Sequence, residues 1–433
     1  MSIPRRSLSV AALAALVLFV FAPAMAYAAA PGDLDPTFGG GDGVVKYDSG
    51  GSDFGQKILR QPDGKIVVAG QTSSAQHDEN LLLARYTADG KRDTTFGGGD
   101  GVVSVDFLGG YDDAWGLARM SDGRLVVAGE AENPAGTFDH VAVARFTSNG
   151  HLDTTFSGDG KTTTGVPGFP HSFGWRCVVQ PNGKIVVVGE ADNATGGDLL
   201  AVRYQESGAL DPTFSGDGRL TVDLGGRDGA WDVRQVPGGG SILAAGWSDI
   251  TGEGRSALVW ITSSGTLDQS HGGGDGKAIV DVEPNNAAEI ARAAFVLGSG
   301  KIMLVGDLSR AGGGHGDLYV ARVNANGALD TTFGGGDGVV LTDAGGDESM
   351  SGARRTSGGT IVVGGETTSN HVARFLVVRF KPNGSPDPTF GTNGFAKPFP
   401  TSSFGNDVEV LGDRRIVATG TVGDDVATIR LLG

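Results

Sequence analysis

Short apolar runs set the rhythm of this chain. Val102–Val105, Ala114–Met120, Arg124–Gly129 (RLVVAG) and His140–Phe146 (HVAVARF) are rich in β-branched side chains and bounded by Gly, Asp and Asn. At four to seven residues none is long enough for a stable helix, so each predicts a strand. The second and third are joined through Asp122-Gly123, a turn pair that suits positive φ, which predicts a hairpin. Asp63-Gly64 and Asn182-Gly183 mark equivalent hairpins, and glycine-rich turns take their place near Gly240, Gly300 and Gly359. Leu125-Val126-Val127-Ala128 is apolar at every position, so both faces of such a strand must be covered.

This four-strand pattern repeats. The phrase Leu34-Asp35-Pro36-Thr37-Phe38 returns at Leu152–Phe156, Leu210–Phe214 and Leu329–Phe333, and more loosely at Arg92–Phe96, Leu267–His271 and Pro386–Phe390. Its aspartates stand at 35, 93, 153, 211, 268, 330 and 387, giving intervals of 58, 60, 58, 57, 62 and 57. Seven copies of a four-stranded antiparallel unit predict an all-β fold, a seven-bladed β-propeller occupying residues 33–433 as one domain. The last copy holds three strands, Gly405–Leu411, Arg415–Gly420 and Asp425–Leu431, while an orphan strand, Val44–Tyr47, precedes the first copy. Pairing of that N-terminal strand with the last blade would close the ring, whereas an open solenoid would need capping repeats.

Arg85, Arg145, Arg203, Arg322 and Arg379 each precede by 11 positions a phenylalanine of the next phrase. In the fifth phrase both members change, to Trp260 and His271, again 11 apart. This covariation within one chain predicts a guanidinium on a ring face, replaced once by a stacked aromatic pair. The phrase aspartate is expected to accept from the backbone two and three residues on, so Asp153→Ala would cost about 1 kcal/mol. The run LDTTFGGGDGVV, the hairpin PDGKIVVAG and the strand VAVARF together resemble the delta-60 repeat family of bacterial proteins. The resemblance spans the chain from about residue 33 and implies propeller blades and export. It brings no catalytic residues to carry over.

Composition narrows the partners. A net charge of −16 excludes the basic surface that nucleic-acid binding requires. Arg5-Arg6, the apolar run Leu8–Phe21 and small residues through Ala28 predict a signal peptide over residues 1–28, cleaved after Ala26 or Ala28. The run is short for a membrane anchor, so no transmembrane segment is expected after its removal. The expected location is secreted, periplasmic or at a bacterial cell surface, and the expected state a monomer. Cys177, the single cysteine, allows no internal disulfide and sits in an apolar strand as an inert thiol.

Variable loops on a rigid frame are where binding sites gather. Counting back from each hairpin turn gives the residue opening the inner strand beside the axis: Gln56, Trp115, Trp175, Trp231, Arg292, Ser351 and Asn406. The residue after the second strand is Gln71, Glu130, Glu190, Trp247, Asp307, Glu366 or Thr421. Three tryptophans at one position, ringed by acids, suit a sugar or another neutral polar ligand. Trp115, Trp175, Trp231, Arg292, Glu130, Glu190, Trp247, Asp307 and Glu366 are therefore the candidate ligand-binding residues. The equal alternative is that the indoles wedge beneath loops as packing. Asp48, Asp53, Asp106 and Asp112 flank Gly-rich loops where oxygen ligands could hold calcium, although Asx turns account for them equally well. Otherwise no cofactor is expected. A binding or adhesion module is the favoured function, with a polysaccharide-active enzyme using two mouth carboxylates, or a structural envelope protein, as alternatives.

Overall fold

A computed structural model describes residues 29–73, 79–193, 196–238, 240–250, 252, 254–284, 287–310 and 314–433. The segment read as a signal peptide and residues 74–78 of one variable loop lie outside these. Among the described residues every regular element is a β-strand, 28 in all. None of these residues forms a helix long and apolar enough to cross a membrane.

The first unit runs antiparallel from an inner strand, Asp53–Arg60, through Ile66–Ser73 and Glu79–Tyr86 to a short outer strand, Val102–Val105. The remaining inner strands are Asp112–Arg119, His171–Val179, Asp228–Gln235, Ala287–Val296, Asp347–Arg355 and Ser403–Val410. Five sheets have four strands, and one has eight because a single parallel pairing of His171 with Asp139 joins two units. The outer strand beside Asp425–Leu431 is Val44–Tyr47, in register from Val44 opposite Ile429 to Tyr47 opposite Val426. Each inner strand touches the next, and Ser403–Val410 touches Asp53–Arg60.

The doubly apolar strands feed two cores at once. Leu125 and Val127 pack toward the first unit beside Leu81 and Phe96, while Val126 and Ala128 pack toward the third beside Ile185 and Val187. Each fully buried Val or Leu contributes about 1.5–3 kcal/mol, so unit-to-unit packing rather than any disulfide holds the fold. The hairpin glycines adopt the positive φ that their turns require, as at Gly64 (89°) and Gly123 (96°). Burial pushes the Cys177 thiol up to about 12, which keeps it protonated and unreactive.

The repeated phrase is a polar rivet. Asp153 Oδ1 accepts from Thr155 N (3.1 Å) and Thr155 Oγ1 (2.7 Å), as an Asx turn should. Its Oδ2 also accepts from Arg145 Nε at 2.8 Å, and the same guanidinium lies 5.0 Å from the Phe156 centroid. Both Arg145 and Asp153 are buried. The aspartate thus serves a long-range ion pair as well as local backbone donors, and the expected 1 kcal/mol for its removal is too small. Burial raises the Asp153 pKa, but Thr155 and the arginine charges outweigh it and hold the carboxyl at about 2. Arg430 makes the same contacts to Asp35 (2.7 Å) and Phe38 (4.8 Å), linking the C-terminal strand to the first phrase. In the divergent copy Trp260 and His271 stack at 5.4 Å and 12°.

Candidate binding site at the axial mouth

All seven inner strands carry a β-bulge at the same point. Pairing jumps from Gly55 to Lys57, Ala114 to Gly116, Gly174 to Arg176, Ala230 to Asp232, Ala291 to Ala293, Met350 to Gly352 and Gly405 to Asp407. The skipped residues are Gln56, Trp115, Trp175, Trp231, Arg292, Ser351 and Asn406, the seven that sequence spacing set at the mouth. A bulge leaves its extra residue unpaired and re-aims the side chain. The cause lies on the neighbouring strand, in the glycine that ends each VVAG-like run. A Cβ on Gly129 would lie inside 3.0 Å of the Asp113 carbonyl oxygen, and one on Gly189 inside 3.0 Å of the Phe173 carbonyl oxygen. Only glycine lets the bulged backbone press in this closely.

The tryptophans gather, but largely upon one another. Trp175 stacks on Trp231 at 4.3 Å and on Trp247 at 5.3 Å, with Phe173 parallel beyond it at 6.0 Å. Arg292 lies over Trp231 at 4.8 Å, and its Nε donates to Asp307 Oδ1 at 2.9 Å. Trp175 is buried, at 9% exposure, and Trp231 has ring contacts with both Trp175 and Arg292. Trp115 meets Trp231 only by an edge, 6.5 Å away at 67°.

That edge-on indole borders a cavity of about 300 Å³, whose other walls include Phe54, Phe404, Gln56, Ser349, Ser351, Glu366, Asn406 and Thr421. Of the nine candidate ligand residues, Trp115 and Glu366 line it. Trp175, Trp231, Trp247, Arg292 and Asp307 form the adjoining packed wall. Thr421 Oγ1 is buried without a hydrogen-bond partner, while the Trp115 indole N–H faces the Glu130 carboxylate. Depressions of about 480 and 600 Å³ also occur, but they are lined by rivet residues such as Arg85 and Thr95, or Arg322, Thr332 and Phe333.

Charged side chains lie on the axial side of the bulges. Arg176 donates to the carbonyls of Trp115 (2.6 Å), Trp175 (2.9 Å) and, from the sixth inner strand, Ser351 (2.7 Å). Lys57 pairs with the buried Asp407 at 3.1 Å, and Arg354 reaches the same carboxylate at 3.2 Å. Burial, helped by the Arg176 charge, brings the Lys57 pKa down to about 7.

The mouth carboxylates fall into three kinds. Glu190 is buried against Arg227 at 2.5 Å, and burial raises its pKa despite that partner. Glu366 is raised by burial and then by the Asp307 charge. Glu130 stands opposite Asp113 in the strand register and faces the Trp115 indole N–H, and neither acid has an ion-pair partner among the described residues. Burial and then the Asp113 charge push Glu130 up to about 8; burial and then the Glu79 and Asp112 charges push Asp113 up to about 7. Sequence counting missed Asp113, Phe54, Ser349 and Phe404. All four stand two residues before a bulge, so the count that found the bulge residues would have found them.

The loop acids close their own turns. Asp48 accepts from Gly50 N and Asp106 from Gly109 N, both at 2.6 Å; Asp53 accepts from Ser49 N and Asp112 from Phe107 N, both at 2.7 Å. None of the four belongs to a three-acid group among the described residues.

Six stretches, residues 61–96, 121–156, 180–214, 240–270, 297–333 and 357–390, match a family described as a domain of unknown function, DUF5122, beta-propeller. No curated protein matches the chain in sequence. Among solved structures, an ulvan lyase of a polysaccharide lyase family, bound to GlcA(1-4)Rha3S, is 10% identical with a TM-score of 0.49, covering 90% of this chain and 96% of its own. An α-L-arabinanase of Penicillium chrysogenum complexed with arabinobiose is 12% identical with a TM-score of 0.46, covering 73% and 92%. Sqt1 of Chaetomium thermophilum is 12% identical with a TM-score of 0.45, covering 90% and 98%. Likenesses at this level carry no chemistry across to this chain. The six matches make it a β-propeller repeat protein.

Proposed function

We propose that this β-propeller repeat protein is an exported binding module whose seven blades, closed by the N-terminal strand, present a site for a neutral carbohydrate at the axial mouth. The resemblance to the delta-60 repeat family supports the export, and the seven evenly spaced phrases support the blade count. One observation carries the binding site: the aligned bulges bring a partly open indole and two phenylalanines beside the neutral polar groups of Gln56, Ser349, Ser351 and Asn406, around about 300 Å³. Flat apolar faces suit sugar C–H groups, and neutral donors and acceptors suit hydroxyls better than a charged ligand. Adhesion to a polysaccharide surface is the role this site would serve. The test is a glycan array with the chain from residue 29, followed by calorimetry of each hit against Trp115→Ala. Binding weakened about tenfold by loss of the ring supports the site; hits unaffected by the change would place binding elsewhere.

A second function has one specific observation behind it. Asp113 and Glu130, half-buried opposite each other in the strand register without a cation, resemble the proton-holding carboxyl pairs that glycoside hydrolysis uses. Reducing ends released from a bound polysaccharide, and abolished by Glu130→Gln, would make the protein an enzyme. Intact polysaccharide after prolonged incubation would leave it a binder.

A further inference from the structure

We propose that the sixth rivet, built on Arg322 and Phe333, borders a binding site for an organic carboxylate with an apolar body. The case rests on what this junction lacks. At six junctions the backbone N–H just after the phrase ring donates to a carbonyl in the turn before the next phrase, as Gly97 does to Asn149 (3.1 Å) and Ser215 to Ser264 (2.8 Å). After Phe333 the equivalent N–H, that of Gly334, has no acceptor among the described residues. The rivet arginine completes the same seam elsewhere: Nη1 of Arg203 donates to Ser263 O at 2.6 Å, and Arg85, Arg145 and Arg430 reach Ser148, Glu206 and Ala88 in the same way. Arg322 directs Nε to Asp330 (2.5 Å) and Nη2 to Thr332 Oγ1 (2.8 Å), and its Nη1 is uncommitted. Its side chain is 24% exposed, against 1–5% for those four. Arg379 lacks the Nη1 bond too, but there Gly391 N keeps Pro31 O at 2.7 Å. Among the described residues only the sixth junction leaves both donors open.

The position of one turn accounts for the opening. Gly32, Gly90, Gly208 and Gly265 lie so close to the N–H after the ring that a Cβ on any of them would fall inside 3.0 Å of that nitrogen. Gly384, their counterpart, presses instead on the tip of the Phe333 ring and faces Val340. Pro382 stands in this turn where the others have Ser148, Glu206, Ser263 or Ala88. The gap is a depression of about 600 Å³ walled by Arg322, Phe333, Gly334, Val340, Pro382 and Ser385.

Its lining selects the ligand. It holds one cation, Arg322, and no carboxylate, in a chain of net charge −16. A guanidinium N–H and a backbone N–H, which at other junctions hold two carbonyl oxygens, can take the two oxygens of one carboxylate, and such charge-assisted bonds are the stronger kind. Phe333, Val340 and Pro382 provide an apolar wall for the rest of the molecule. Lys301 shares Asp330 with the arginine at 2.6 Å, so the rivet's acid keeps a cation when Arg322 engages a ligand. This site has no residue in common with the mouth cavity and stands apart from the carbohydrate proposal.

The test is heteronuclear NMR of the nitrogen-labelled full chain titrated with N-acetyl-leucine at constant ionic strength. The Gly334 amide resonance should move saturably with a Kd on the order of 1 mM, as suits so small a probe, while that of Gly97, bonded to Asn149, stays in place. N-acetyl-leucine amide, which has the same body and no charge, should bind at least about tenfold more weakly, as should N-acetyl-leucine to Arg322→Gln. Asp330 retains Lys301 in that variant. Should it still not fold, Ser385→Phe places a ring in the depression, leaves the rivet contacts alone and should abolish binding. A stationary Gly334 amide, an equal response to the uncharged amide, or inorganic phosphate binding as tightly as N-acetyl-leucine would overturn the proposal. So would a titration that either folded variant leaves unchanged.

Discussion

The rivet and the mouth are built from the same repeat to opposite ends. At the rivet, six copies place an arginine 4.4–5.0 Å from a phenylalanine centroid, and the arginine Nε lies 2.5–2.9 Å from the phrase aspartate. At the mouth the backbone repeats equally well, with a bulge in all seven inner strands, yet the displaced side chain is Gln, Trp, Trp, Trp, Arg, Ser or Asn. Where chemistry repeats with geometry, the repeat serves stability. Where geometry repeats and chemistry diverges, the backbone is a frame for presenting different groups. The fifth rivet marks the boundary between the two, because Trp260 and His271 keep the stack while giving up the guanidinium.

The contrast is sharpest under mutation. Arg145→Ala would leave the buried Asp153 without its main partner, and breaking such a pair costs about 3–5 kcal/mol. Chemical denaturation should register that loss, with ligand affinity of the folded fraction unchanged. Trp175→Ala should cost a comparable or somewhat smaller amount, about 3 kcal/mol, because the ring is packed between other aromatics. It would show that part of the mouth has become core. Trp115→Ala should reverse the pattern, costing less than about 1.5 kcal/mol of stability but up to about tenfold in affinity. If Trp115 and Trp175 prove equally damaging to stability and neutral for binding, the division between frame and site fails.

A pH dependence is expected from the mouth as well. Glu130 and Asp113 have folded pKa values raised above their unfolded ones, so each contributes stability below the unfolded value that is lost as pH rises through the folded value. Tm should therefore decline between about pH 5 and pH 8, and the double change Asp113→Asn, Glu130→Gln should make that decline shallower, with Asp112 and Glu289, also raised to about 7 by burial, keeping part of it. The rivet aspartates have lowered pKa values and act in the opposite sense. Their contribution is present above about pH 4 and is lost only in acid, as the Asp153 value of about 2 indicates. A slope unchanged by the double substitution would remove the carboxyl pair from the account.

Much of this was legible in the sequence, for an identifiable reason. Spacing along a strand is a local property, so the strands, the hairpins, the Arg–Phe pairs and the seven bulge positions could all be counted. Trp260 and His271 could be paired because both departed from the pattern together. The direction a displaced indole takes depends on neighbours some 60 residues away. Nothing local told Trp175, turned onto Trp231 and Trp247, from Trp115, which keeps an edge toward the cavity. The ion pair hidden in the phrase was missed for a related reason, since Asp153 was credited with its nearest donors while Arg145, eight residues back, holds its other oxygen. The VVAG glycine was read as the end of a strand. Its role came from the bulge pressing against it from the adjacent strand.

The most direct test is to follow the indole N–H resonances of the five tryptophans by heteronuclear NMR while an array-selected oligosaccharide is added, with Trp115 assigned through Trp115→Phe. Trp115 lines the cavity, so its resonance should move with saturable dependence on sugar concentration while the rivet's Trp260 stays in place. A moving Trp260, or a stationary Trp115 at a sugar concentration that calorimetry shows to be saturating, would contradict the placement of the site at the mouth.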